Sequence, residues 1–172
     1  MSLTGVILEN NFKNTVLSEK LSSVQRQAEK MKKICTEVIF VTNTPHHYLP
    51  VLGSSIRIIT EYYQRYHPFC GMHASFSLAK NERMWVVLTN SSLSSDIARI
   101  LNEYDVSKNL DAVLPERDGE VQPFYGIYHC RCAEVLETLI KNEIYKAEFF
   151  LDSINWVKYH EGKPQTITYK KV

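Results

Sequence analysis

Short apolar runs and amphipathic stretches take turns along this chain, and that alternation restricts it to few folds. The first apolar run is Thr4–Leu8. The stretch 17–33 follows, with Leu17, Leu21, Val24, Ala28 and Met31 spaced by threes and fours, the period of a helix with one buried face. Lys30, Lys32 and Lys33 close it, where cations suit the helix dipole. Val38, Ile39, Phe40 and Val41 predict a second strand over 37–41, ended by the loop Thr42-Asn43-Thr44-Pro45. A third strand is expected over 56–60, an irregular crossover over 62–69, and a helix from about 71 to 80. Residues 84–88 are apolar throughout, which predicts a central strand covered on both faces. A helix near 95–104 comes next, with Ile97, Ile100, Leu101 and Tyr104 on its buried side. Strands over 111–115, 123–129 and 154–159 are interleaved with helices over 131–141 and 146–151, and an edge strand is expected at 166–169. Strands that alternate with helices need crossover connections. The expected fold is therefore α/β: a three-layer α/β/α arrangement with a mainly parallel twisted sheet.

The length of 172 residues suits one domain, 1–172, able to bury a core without metal or disulfide. A formal charge of +1 argues against a nucleic-acid binder driven by bulk electrostatics. No apolar run approaches the length of a membrane span, and the first five residues lack the pattern of a signal peptide. Cys35, Cys70, Cys130 and Cys132 read as reduced thiols of a cytoplasmic protein. Cys130-Arg131-Cys132, preceded by His129, lacks the second ligand pair that a structural zinc site needs, so no metal ligands are assigned.

In sheets of this kind ligands bind beyond the carboxyl ends of the strands. Function is therefore expected in the loops after Leu8, Val41, Leu88 and Pro115. A phosphate loop needs backbone N–H groups turned toward the anion, and glycine permits the conformations required. The loop from Glu9 to Leu17 contains no glycine. Asn10 and Asn11 are its best substitutes, since asparagine tolerates the left-handed region. Glu9 places negative charge beside any phosphate there, while Lys13 and Lys20 are the cations at hand. An ordinary strand-to-helix connection with surface lysines explains the same residues. The loop after 84–88 carries Thr89, Asn90, Ser91 and Ser92 where a nucleotidyl-transfer site commonly has a carboxylate for magnesium. Asp96 reads as a charge at a helix start.

Taken together, several segments resemble the molybdenum cofactor guanylyltransferase family (molybdopterin-guanine dinucleotide biosynthesis protein A), the enzymes that join GMP to molybdopterin. Asp118-Gly119, Gln122-Pro123-Phe124 and Ile127-Tyr128 resemble that family's Asp-Gly, Gln-Pro-Leu and Leu-Tyr stretch at the same spacing. Pro68 and Gly71 match its Gly-Pro-Leu-x-Gly segment, with His67 in place of the first glycine. Val41-Thr42-Asn43 resembles the segment after its second strand, and Lys20 falls on its loop lysine. The family's Leu-Ala-Gly-Gly, Arg, Gly series is here Leu8, Glu9, Asn10, Asn11, Thr15 and Leu17, and its magnesium aspartate aligns with Ser91, or with Asn90 if the gap is moved.

The resemblance implies a Rossmann-like fold of the nucleotide-diphospho-sugar transferase type, and transfer of GMP from GTP to molybdopterin with Mg²⁺. It assigns Lys20 as the catalytic cation. Asn10, Asn11, Lys20, Asn43 and Gly71 would border the nucleotide, and Asp118, Gly119, Gln122 and Pro123 the second substrate, molybdopterin or another small phosphorylated ligand. It also implies a protein partner in the molybdoenzyme pathway. The alternative reading is a non-catalytic binding or regulatory protein that retains the fold and a molybdopterin or partner surface.

Overall fold

The computed structural model describes residues 2–10, 15–89, 91, 100, 109–160 and 168–169. Among them nine strands form a single sheet. In chain order they are β1 (Thr4–Leu8), β2 (Glu37–Val41), β3 (Arg57–Ile59), β4 (Arg83–Leu88), β5 (Ala112–Arg117), β6 (Glu120–Val121), β7 (Ile127–His129), β8 (Trp156–His160) and β9 (Thr168–Tyr169). Their spatial order is β3-β2-β1-β4-β7-β5-β8-β9, with β6 paired to β5. The strands β1, β2, β3, β4, β5 and β8 share one direction, while β6, β7 and β9 oppose them. The sheet is thus mixed but mainly parallel. The antiparallel β7 is inserted between β4 and β5, which no local sequence signal announces.

The helices are α1 (Leu17–Met31), α2 (Leu49–Leu52), α3 (Pro68–Leu78), α4 (Cys132–Lys141) and α5 (Ala147–Asp152). On one face of the sheet Val24, Ala28 and Met31 of α1 join a core with Ile7, Phe40, Trp85 and Val87. On the other, Met72 and Phe76 of α3, Leu136 of α4 and Phe150 of α5 join Val6, Leu8, Ile39 and Val86. Successive strand residues point to opposite faces, so a strand covered on both sides must be apolar throughout. That is why β1 is buried at all five positions. Two buried faces make the three layers.

Differences from the expected elements have local causes. Helix α3 begins at Pro68, three residues early. His67 Nδ1 accepts the Phe69 N–H at 3.2 Å, and Pro68 suits the first helical position. Its stretch from Phe69 to Phe76 is buried all round, so the apolar stripe that marks a helix start is missing. The strand expected over 123–129 shrinks to Ile127–His129. The short helix α2 was not expected, and the helix near 95–104 lies outside the described residues apart from the buried Ile100. No helix among the described residues is long and apolar enough to cross a membrane.

The chain runs from β1 to β2 and β3 on one side, then crosses back to place β4 on the other side of β1. The order reverses at β1. The carboxyl end of β1 is therefore the switch point at which open α/β sheets bind ligands.

Candidate functional site

A cleft of about 220 Å³ opens at that switch point. The exit of β1 contributes Leu8, Glu9 and Asn10; the exit of β2 contributes Val41 to Thr44; Glu61, Tyr66, His67, Pro68 and Gly71 close the far wall. Three of the expected nucleotide residues, Asn10, Asn43 and Gly71, thus meet in one place. Asn11 lies outside the described residues. Lys20 stands half-buried in the first turn of α1 and is not among the residues that line the cleft.

The first two backbone amides after β1 are already committed. The Glu9 N–H donates to the Val41 carbonyl at 3.1 Å, and the Asn10 N–H donates to Thr89 Oγ1 at 2.9 Å. The Glu9 side chain is held as firmly. Its Oε2 accepts from Thr42 Oγ1 at 2.5 Å and its Oε1 from the Tyr48 hydroxyl at 2.5 Å. Burial, followed by the hydrogen bond to Glu9, pushes the Tyr48 hydroxyl above the ordinary phenol range, so it remains a donor.

Across the cleft Asn43 grips Glu61 twice. Asn43 Nδ2 donates to Glu61 Oε2 at 2.9 Å, and the Glu61 N–H donates to Asn43 Oδ1 at 3.3 Å. Burial raises the Glu61 carboxyl above its usual range, the charge of Glu9 adds to the rise, and Asn43 offsets part of it. The other carboxylate oxygen lies beside Gly71, where an added Cβ would stand 3.7 Å from it and 3.0 Å from Leu8 Cδ2. Glycine here keeps the floor of the cleft open. His67 caps α3 through Nδ1, so its proton sits on Nε2, and burial lowers its basicity. Among the described residues the lining thus holds two carboxylates and no lysine or arginine.

The expected second-substrate residues lie along the β5–β6 turn and its exit. Asp118 and Gly119 take positive φ values of 52° and 82°, the conformation of a tight hairpin turn for which Asp-Gly is suited. The Gln122 N–H donates to the Pro115 carbonyl at 2.8 Å, and the Pro123 carbonyl accepts from the buried Tyr128 hydroxyl. The neighbouring Phe124 ring joins this segment to the cleft, 6.3 Å from His67 and 6.0 Å from Phe69. The loop after β4 is tied down from α1. Gln27 Nε2 donates to the Leu88 carbonyl at 3.0 Å and to the Ser91 carbonyl at 3.1 Å, while Ser91 Oγ donates to the Leu88 carbonyl at 2.6 Å. Ser91 is therefore turned inward. The described residues of this loop carry no carboxylate and do not fit a magnesium ion, and no group of three His, Cys, Asp or Glu converges among the described residues.

The MobA-like NTP transferase domain matches residues 12–156. The chain belongs to this family. It is 21% identical over 149 residues to the molybdenum cofactor guanylyltransferase of Desulfosudis oleivorans, covering 87% of this chain and 68% of that one. It is 35% identical over 108 residues to a probable molybdenum cofactor guanylyltransferase of Bacillus licheniformis, covering 59% of this chain and 52% of that one. Its fold matches molybdopterin-guanine dinucleotide biosynthesis protein A of Archaeoglobus fulgidus with a TM-score of 0.70 at 17% identity, over 91% of this chain and 83% of that one. The expected Rossmann-like nucleotidyltransferase fold is thereby borne out, and low identity fits a divergent member.

Sequence reasoning missed most of the cleft's polar wiring. Tyr48 and Glu61 were assigned no role, and Glu9 was noted only for its charge. A carboxylate at the exit of β3 was one available signal. The Glu9–Tyr48 contact spans 39 positions and has no local signature.

Proposed function

We propose that this chain is a guanylyltransferase-type protein of molybdenum cofactor biosynthesis, and that its switch-point cleft receives the nucleoside end of GTP. The observation that supports this most directly is the convergence of Asn10, Asn43 and Gly71 in one cleft at the reversal of strand order. Guanine offers N–H donors on one edge. Glu61, oriented by Asn43, offers a carboxylate acceptor beside the open floor at Gly71.

In the family's reaction an oxygen of the terminal phosphate of molybdopterin attacks the α-phosphorus of GTP. The bond from that phosphorus to the bridging oxygen breaks, and pyrophosphate leaves. Such chemistry is mostly positioning and charge neutralisation. Lys20, at the start of α1, is the cation assigned to the phosphates, while Asn10 and Asn11 border the nucleoside. Asp118, Gly119, Gln122 and Pro123 border the second substrate, and Phe124 against His67 connects the two regions.

Calorimetry with guanosine and with GTP, in the presence of magnesium, tests the cleft. Saturable binding that Asn43→Ala weakens about tenfold is expected, because a hydrogen-bonded positioner of Glu61 is lost. Conversion of molybdopterin and GTP to the dinucleotide, followed by chromatography, tests the transfer. Absence of binding to both ligands would end this reading.

A further inference from the structure

A phosphate loop works by offering free backbone amides and by keeping negative charge away. Among the described residues at the exit of β1, Glu9 and Asn10 do neither. The Glu9 and Asn10 amides are bonded to Val41 and Thr89, and the Glu9 carboxylate stands in the cleft. That carboxylate is a fixture. Thr42 and Tyr48, which orient its two oxygens, are 2% and 1% exposed, and the Tyr48 ring packs edge-on against Phe40 at 4.7 Å. Neither hydroxyl can follow a moving Glu9 without disturbing the core. Both are neutral donors, so they hold the charge without cancelling it. Glu61 adds a second carboxylate on the opposite wall.

We infer that Glu9 is a specificity-determining residue that makes this cleft recognise the nucleoside and repel its phosphates. The inference rests on the nucleotide reading above and names the part of the ligand that carries affinity: a donor-bearing purine nucleoside, with any phosphates directed away from the exit of β1. One fixed charge a few ångströms from a phosphate, at the effective dielectric of a half-open cleft, costs about tenfold in affinity. Guanosine should therefore bind more tightly than GMP, and GMP more tightly than GTP.

The test is a calorimetric titration of guanosine, GMP and GTP without divalent cation at low ionic strength, on the wild type and on Glu9→Gln. The wild type is expected to bind guanosine at least tenfold more tightly than GTP. Glu9→Gln is expected to tighten GTP about tenfold and to leave guanosine within about twofold. A second readout needs no variant: added salt should narrow the wild-type gap, because screening weakens the repulsion. If the wild type binds GTP as tightly as guanosine, and Glu9→Gln shifts neither, the inference fails while the nucleotide reading stands. If neither protein binds any of the three ligands, the nucleotide reading itself fails.

Discussion

Replacing Tyr48 by phenylalanine removes one oxygen and keeps the ring that packs against Phe40. The lost hydroxyl donates to Glu9 Oε1 at 2.5 Å from a residue that is almost wholly buried. A hydrogen bond to a charged group contributes about 1.5–3 kcal/mol. The apolar packing is unchanged, so Tyr48→Phe should cost about 2 kcal/mol, or about 4–8 °C in Tm for a chain of this size. Glu9→Ala should also destabilise, because it strands the buried Tyr48 hydroxyl. The Thr42 hydroxyl would be less exposed to loss, since it has Thr44 Oγ1 at 3.3 Å as another acceptor. Once Glu9 is gone the Tyr48 hydroxyl has nothing left to lose there, and the second substitution should cost little. The two changes should therefore couple by about 1–2 kcal/mol in a double-mutant cycle. Urea unfolding followed by fluorescence gives the four stabilities, with the buried Trp85 as one reporter. Additivity within about 0.5 kcal/mol would refute the claim that Tyr48 holds Glu9 in the cleft.

Three further outcomes follow from individual side chains. The Glu61 carboxyl is raised in the folded protein by burial first and by Glu9 second, so its stabilising contribution is present below the ordinary carboxylate range and lost as pH rises through the raised value. Glu61→Gln should thus gain Tm relative to the wild type between pH 4 and pH 7, and a relative loss would contradict the stated environment. In Gly126→Ala the new Cβ would stand 2.5 Å from Leu114 Cδ2 and 2.8 Å from the Val113 carbonyl oxygen, so differential scanning fluorimetry should show a fall of about 5–10 °C, whereas an unchanged Tm would mean the strands are farther apart. Burial pushes the Cys35 and Cys132 thiols up to about 12, while Cys130 is half-exposed, so iodoacetamide at pH 8 followed by mass spectrometry should label Cys130 well before the other two.

How much of this was legible in the sequence depends on how local each cause is. The strands β1 and β2 fall on the expected residues because an apolar run bounded by polar residues is its own signal. The turn at Asp118-Gly119 was readable for the same reason, since the residue pair prescribes the backbone. Helix α3 was misplaced at its start because its cap is an imidazole and its surface is buried nearly all round. The place of β7 in the sheet depends on pairing with β4 and β5, which are distant in sequence. The site divides in the same way. Asn10, Asn43 and Gly71 sit at strand exits or a helix start, where topology alone puts residues near a ligand. The bonds that fix Glu9 and Glu61 join different loops, and only the register of β1, β2 and β3 brings those loops together.

The loss of glycine and the presence of Glu9 at the exit of β1 act in the same direction. Glycine would let the chain turn its amides outward; here those of Glu9 and Asn10 are drawn back to Val41 and Thr89. Glu9, where the family's pattern has alanine, brings a carboxylate into the space an anion would use, and Thr42 and Tyr48 keep it there. At these two described residues both physical requirements of a phosphate loop are unmet. The features suited to the base are built on other segments: Asn43 after β2, Glu61 after β3, Gly71 in α3. Divergence concentrated on one loop can therefore change how the phosphates are held and leave recognition of the nucleoside in place. That asymmetry makes affinity along the guanosine, GMP and GTP series a sharper measure of this cleft than affinity for any one of them.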